Sequence, residues 1–157
     1  MPPIPRALSA AFERGRIQPD RGLAPLTTFR IGGPADWCVE AVTADEVVAA
    51  VRAAAEDGLP VTVMGGGSNL LVGDRGVRGL VLRPRAGRIE QVAPDLVRAD
   101  AGTTINGLVR WTVHAGLGGL AAWAGTPGTV GGAVCGNAHW AGRLIGDLVR
   151  DVGVVTR

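Results

Sequence analysis

Two glycine-rich turns constrain this 157-residue chain more than anything else in it. The first, Gly65-Gly66-Gly67-Ser68-Asn69, follows directly on the apolar run Val61 to Met64. The second is Gly125-Thr126-Pro127-Gly128-Thr129-Val130-Gly131-Gly132. Glycine reaches positive φ without a steric penalty and carries no Cβ, so each turn can present bare N–H groups to an approaching anion. In the second turn Pro127 fixes one φ, Gly128, Gly131 and Gly132 are expected to leave their amides uncovered, and Thr126 and Thr129 add hydroxyl donors. Pro127 also suits the first turn of a short helix. Together the two turns point to one extended, phosphate-containing ligand.

The first turn departs from the dinucleotide-binding fingerprint GxGxxG, which opens a long helix. Here the glycines run instead into Leu70-Leu71-Val72-Gly73. Every one of the 16 basic residues is arginine, and a chain without lysine can hold neither a Walker-type phosphate loop nor a Schiff-base lysine. The formal charge of +2, the lack of a basic run and the 4% aromatic content argue against a nucleic-acid partner. No apolar stretch reaches membrane-spanning length, so no membrane partner is expected. Cys38 and Cys135 are far apart with no CxxC spacing, which excludes a zinc or disulfide framework and predicts two buried, inert thiols. No signal peptide is legible, and a cytoplasmic location is the expectation.

Hydrophobic patterning predicts an N-terminal arm over residues 1–24, with one short helix around Leu8 to Phe12. A strand over Asp36 to Ala41 follows, in which Trp37 and Val39 alternate with Cys38 and Glu40. Thr43-Ala44-Asp45-Glu46 reads as a capping box, and Val47, Val48, Val51, Ala54 and Ala55 continue a helix to Gly58-Leu59-Pro60. Val61 to Met64 is then a short buried strand, and Leu80 to Leu82 a third. Ile89 to Val92 and Leu96 to Ala99 form a hairpin about Pro94-Asp95. A helix is expected from Thr103 to Ala115, stopped by Gly116, with His114 suiting its C-terminal dipole and Trp111 and Trp123 packing in a core or between lobes. Leu148 to Val155 reads as a last strand, which needs a partner on its far side.

Five blocks are carried in order: Thr28-Phe29-Arg30-Ile31-Gly32-Gly33-Pro34-Ala35; Gly65 to Leu71; Ala101-Gly102; Gly125 to Ala133; and Asn137. In order and spacing they resemble the UDP-N-acetylenolpyruvoylglucosamine reductase family, also called UDP-N-acetylmuramate dehydrogenases. The resemblance implies an α+β fold, the two-lobed FAD-binding domain of the vanillyl-alcohol-oxidase type. Its lobes would span about 25–83 and 84–157, and the substrate domain would be missing.

The resemblance further implies non-covalent FAD, with Gly65, Gly66, Gly67, Ser68 and Asn69 at the pyrophosphate and Leu70 and Gly102 also against the cofactor. Thr126, Pro127, Gly128, Thr129, Gly131, Gly132 and Asn137 would line the phosphates and the ring, and His139, from its own residue type, is counted among the cofactor-binding residues. No metal is implied. The family reduces UDP-N-acetylglucosamine enolpyruvate to UDP-N-acetylmuramate for peptidoglycan, with NADPH as reductant, and the protein chiefly positions the electron carrier. Its catalytic arginine, serine and glutamate fall in segments with no counterpart here, so the chain is expected to be inactive alone and no catalytic residue is assigned. Ala138-His139-Trp140-Ala141-Gly142 departs from the family pattern. His139 and Trp140 can each be read as flavin contacts or as packing residues, and Arg30 as a phosphate ligand or a solvated side chain. Two other functions stay open: another FAD-dependent oxidoreductase of the same fold, and a non-catalytic nucleotide-binding module.

Overall fold

A computed structural model of the chain describes residues 3–156. The first two residues of the expected arm, and Arg157, lie outside the described residues. Helix α1 (Arg6–Ala11) and strand β1 (Ile17–Gly22) come first, followed by β2 (Pro34–Ala41), α2 (Ala44–Glu56), β3 (Val61–Val63) and β4 (Val77–Pro84). The strands make one sheet in the order β1-β2-β4-β3, with β1 antiparallel to β2 and the other pairs parallel. The expected strand, helix, strand unit is present, but β4 enters between its two strands. The first glycine turn therefore leaves from the C-terminal end of an edge strand, at the end of the sheet where α/β folds hold ligands.

Alternation along β2 and β4 sorts side chains to two faces. Val39, Ala41, Leu80 and Leu82 pack against Leu8 and Phe12 of the α1 region and Ala50, Ala53 and Ala54 of α2. Cys38 and Val81 point the other way, against Leu23, Ala35 and Met64. With both faces covered, β4 is buried continuously from Gly79 to Arg83. The small alanine face of α2 lets it lie close to the sheet.

The cap of α2 is as predicted, with one shift. The Thr43 hydroxyl accepts from the Glu46 N–H at 3.1 Å, while the Glu46 carboxylate reaches past Thr43 to accept from the Val42 N–H at 2.7 Å. Glu46 also receives both terminal nitrogens of Arg16, at 2.5 and 2.8 Å. The helix ends in a Schellman arrangement at Gly58 (φ +66°), with the Leu59 N–H donating to the Ala54 carbonyl at 2.8 Å. Asp57, at the same end, accepts from the Ala7 and Leu8 N–H groups at 3.1 and 3.0 Å and so caps α1 from across the fold.

The Arg16 contacts, with backbone N–H donors, hold the Glu46 carboxyl down at about 2, against an ordinary 4.5. A carboxyl whose folded pKa lies below its unfolded value adds stability that is complete above the unfolded value and fades as pH falls toward the folded one. Glu46→Gln is therefore expected to lower stability at neutral pH by about 1–2 kcal/mol. The gap from wild type in urea unfolding should narrow steadily between about pH 5 and pH 2.

The arm is more structured than a lead-in. Ile17 of β1 pairs with Val39, and Gly22 with Pro34. The polar run Gln18-Pro19-Asp20-Arg21 hid this strand from periodicity, and Pro19 is tolerated because β1 is an edge.

The second lobe carries the expected hairpin, β5 (Ile89–Ala93) with β6 (Leu96–Ala99), then α3 (Ile105–His114), α4 (Val130–Cys135), β7 (His139–Trp140) and β8 (Arg143–Leu144). Its core gathers Ile105, Val109, Trp123 and Ile145, so Trp123 packs as expected. His114 Nδ1 lies 2.7 Å from the Arg110 carbonyl near the end of α3.

Three expectations fail. Strand β3 is present but not buried, since it is an edge strand whose Thr62 and Val63 are exposed. Residues 149–155 form no strand. Leu148 belongs to a 3-10 turn, and Val152 and Val154 are exposed, because no strand lies alongside them among the described residues and pairing is what makes a strand. The thiols also differ: Cys38 is buried, and burial raises its pKa, but Cys135 at the end of the short α4 is exposed. No helix of the described residues is long and apolar enough to cross a membrane.

Candidate anion-binding site

The first glycine turn starts where the β3 ladder stops. The Met64 N–H donates to the Leu82 carbonyl at 2.9 Å, and beyond it none of the N–H groups of Gly65 to Leu71 meets an acceptor among the described residues. The turn is held from behind instead. The Gly67 carbonyl accepts from the Thr28 N–H at 3.2 Å, and the Gly33 N–H donates to the Gly73 carbonyl at 3.0 Å. Gly67 has φ +67°, and a Cβ there would strike the Leu26 carbonyl and come within 2.9 Å of the Met64 methyl. This backing fixes the turn while its donors stay open.

The second turn is mostly spoken for. Gly125 donates to Asn106 Oδ1 at 2.7 Å, Thr126 to the Trp123 carbonyl at 3.0 Å, Val130 to Thr103 at 2.8 Å and Gly131 to Ala101 at 2.9 Å. The Gly132 N–H reaches the Thr129 hydroxyl at 3.4 Å. The expectation that Gly131 and Gly132 leave bare amides is therefore corrected: only Gly128 and Thr129 keep unpaired N–H groups in this turn among the described residues. Gly131 is needed for packing, since its Cβ would lie 2.9 Å from that of Ala101. Nor does Pro127 open α4; Thr129 is the N-cap.

The fold brings the two turns face to face. A Cβ on Gly65 would collide with the Thr129 hydroxyl, one on Gly66 would lie 3.0 Å from the Gly128 Cα, and one on Gly128 would lie 2.8 Å from Ser68 Oγ. Gly102 lies against the chain leaving β4, where a Cβ would lie 2.5 Å from the Ala86 carbonyl and 2.7 Å from that of Pro84.

Leu70 lines an apolar cavity of about 200 Å³ beside the first turn, with Leu23, Met64, Val72, Val77 and Val81. Among the described residues, Asn137 and His139 make no hydrogen bond to either turn. The Asn137 side-chain oxygen is taken by the Gly146 N–H at 3.1 Å, and the His139 side chain is exposed with no hydrogen bond among the described residues. Trp140 is 62% exposed, so a core packing role does not hold for it.

Two supporting residues were missed. Asn106, on α3, pins the start of the second turn, and Thr103 is buried with its hydroxyl unpaired beside Ala101-Gly102. Neither has a local sequence signal, because their roles come from tertiary contact.

The chemistry on offer is one-sided. Unpaired N–H groups, the hydroxyls of Ser68 and Thr129 where the turns meet, and a neighbouring apolar cavity lie about two turns that contain no carboxylate. No group of residues suited to a metal ion occurs among the described residues. Such a surface stabilises anionic oxygen and repels nothing negative. An elongated group with a diphosphate and an apolar ring system fits both the donors and the cradle that a Cβ would close.

Residues 35–157 match a family model described as an FAD binding domain. The chain is 41% identical over 155 residues to the UDP-N-acetylenolpyruvoylglucosamine reductase of Synechococcus sp. (strain JA-3-3Ab), covering 98% of this chain and 50% of that protein. A crystal structure of UDP-N-acetylenolpyruvylglucosamine reductase from Thermus caldophilus superposes with a TM-score of 0.63 at 36% identity, over 80% of this chain and 42% of that one. A solvent-stable cholesterol oxidase superposes at 0.56 and 28% identity, over 76% of this chain and 23% of that one. The chain thus spans about half the length of the curated relatives it matches, and its α+β architecture is that of the vanillyl-alcohol-oxidase type of FAD-binding domain.

Proposed function

The chain belongs to the FAD binding domain family, and on that premise we propose that it is the flavin-holding portion of a UDP-N-acetylenolpyruvoylglucosamine reductase. The observation that carries this proposal is the meeting of the two glycine turns, with open amides on one and a Thr129 hydroxyl and two free amides on the other.

In this role the amides of Gly65, Gly66, Gly67, Ser68, Asn69 and Leu70 hold the diphosphate of FAD, joined by Gly128, Thr129 and the Thr126 hydroxyl. Pro127 stiffens that second contact, while Gly102, Gly131 and Gly132 set the spacing behind it. Asn137 contributes by holding the segment around Gly146, and His139 at the rim. Bound FAD supplies two-electron transfer, which no side chain of this chain offers. The chain's own work is to bind, to orient through glycine contacts that fix the distance between lobes, and to seat an apolar ring beside Leu70. The reaction served is the NADPH-dependent reduction of the enolpyruvyl double bond of UDP-N-acetylglucosamine enolpyruvate, in cytoplasmic synthesis of peptidoglycan precursors. The acid–base residues of that step are assigned to the half of the relatives that this chain does not match. The two lobes divide near Pro84.

Titration of the purified chain with FAD tests the proposal. Saturable quenching of flavin fluorescence, with flavin absorbance that persists through gel filtration, is the expected result. A chain that stays colourless after saturation would overturn it. Addition of the unmatched half of a relative should then give NADPH oxidation that depends on the enolpyruvyl substrate; oxidation with an alcohol or sterol instead would move the chain to the oxidase branch.

A further inference from the structure

We propose that Arg30 is a diphosphate-binding residue of the first glycine turn, an inference that rests on the flavin-holding role and extends it to a side chain outside the glycine motifs. Arg30 lies in the left-handed region at φ +56°, a conformation that costs an ordinary L-residue about 1 kcal/mol or more and persists where surroundings impose it. They do so here. The Arg30 N–H donates to the Thr27 carbonyl at 3.2 Å, and the buried Thr27 hydroxyl lies 3.1 and 3.2 Å from the carbonyls of Ala24 and Ile31, clamping the turn on both sides of Arg30. The adjoining Thr28 N–H donates to Gly67 within the first glycine turn. A strained residue is thus fixed two positions from a direct backbone link to the row of open amides, well within the reach of an arginine side chain.

Its charge is uncommitted. Arg16, Arg78, Arg83, Arg88 and Arg150 are ion-paired, whereas Arg30 is exposed with no side-chain hydrogen bond or carboxylate partner among the described residues. A planar guanidinium brought from this position to the run of N–H groups would complete a site for a diphosphate diester, because its fork can bind two oxygens at once. Such a diphosphate occurs both in FAD and in a UDP-sugar.

The test measures binding of FAD, riboflavin and UDP-N-acetylglucosamine to the wild-type chain and to Arg30→Gln, Arg30→Lys and Arg30→Asn, with Arg75→Gln as a charge-matched control on a neighbouring loop. Arg30→Gln is expected to weaken the diphosphate ligand roughly 10- to 100-fold, leave riboflavin within about twofold, and respond less to added salt. Arg30→Lys should recover part of the loss. Arg30→Asn suits positive φ, so it should bind as weakly as Arg30→Gln while its Tm is unchanged or higher, a combination that a merely structural arginine would not give. A selective loss of FAD assigns the cofactor's diphosphate, and a selective loss of the UDP-sugar assigns the substrate's. Binding equal to wild type in Arg30→Gln, or equal weakening of riboflavin, overturns the proposal while leaving the flavin role intact. A wild-type chain that takes up neither diphosphate overturns both.

Discussion

Gly66→Val is expected to give a protein that folds and retains no flavin. Gly66 is exposed, and the atom nearest to an added Cβ is the Gly128 Cα at 3.0 Å, across the meeting of the two turns. A valine there drives the turns apart by a few tenths of an ångström and covers neighbouring amides with methyl groups. Each charge-assisted hydrogen bond lost from the diphosphate is worth about 1.5–3 kcal/mol, so losing two weakens FAD more than roughly 100-fold. No core cluster includes Gly66, so far-UV circular dichroism and the unfolding midpoint should stay close to wild type. Normal flavin absorbance in the purified variant would refute the placement of the diphosphate at this turn.

The second large effect falls on stability and lies away from the binding surface. Gly76→Ala is expected to cost about 3–5 kcal/mol, from strain at φ +70° together with a Cβ that would collide with the Pro34 carbonyl and lie 2.7 Å from the Pro34 nitrogen. For a chain of this size that is a fall of roughly 10 °C in Tm. Gly116→Ala provides the comparison, because Gly116 has φ +72° but nothing within 4 Å of its Cβ position. Strain alone should cost about 1 kcal/mol there. Equal Tm losses in the two variants would mean that the loop ahead of β4 does not sit under the start of β2.

What could be read from the residues alone divides along the range of the forces involved. Thr43 with Glu46, Gly58 with Pro60, Pro94-Asp95 and Gly116 are local signals, each set by a few neighbouring backbone groups, and all mark elements where they are found. Strand β1 was hidden because its existence depends on β2, not on its own polar residues. The run 149–155 erred the other way: valines at strand-like spacing make no strand without a neighbour. In the site, the glycines were legible but their reasons were not. Gly131 looked like an open amide and is a close packing contact with Ala101, and the hydrogen bond from Gly125 to Asn106 spans 19 residues. Arg30 drew notice only by lying inside a motif, since its φ and its unpaired charge are properties of the folded chain.

The separation of the hydrophobic clusters bears on how the molecule comes apart. Two clusters share the N-terminal sheet, while Ile105, Val109, Trp123 and Ile145 form a third in the other lobe, with the glycine turns meeting between them. A ligand gripped by both turns is bound only when both lobes are folded, so its binding energy is lost if either one opens. Loading the site is therefore expected to do more than raise the midpoint of unfolding: it should bring the N-terminal sheet and the third cluster into one cooperative transition.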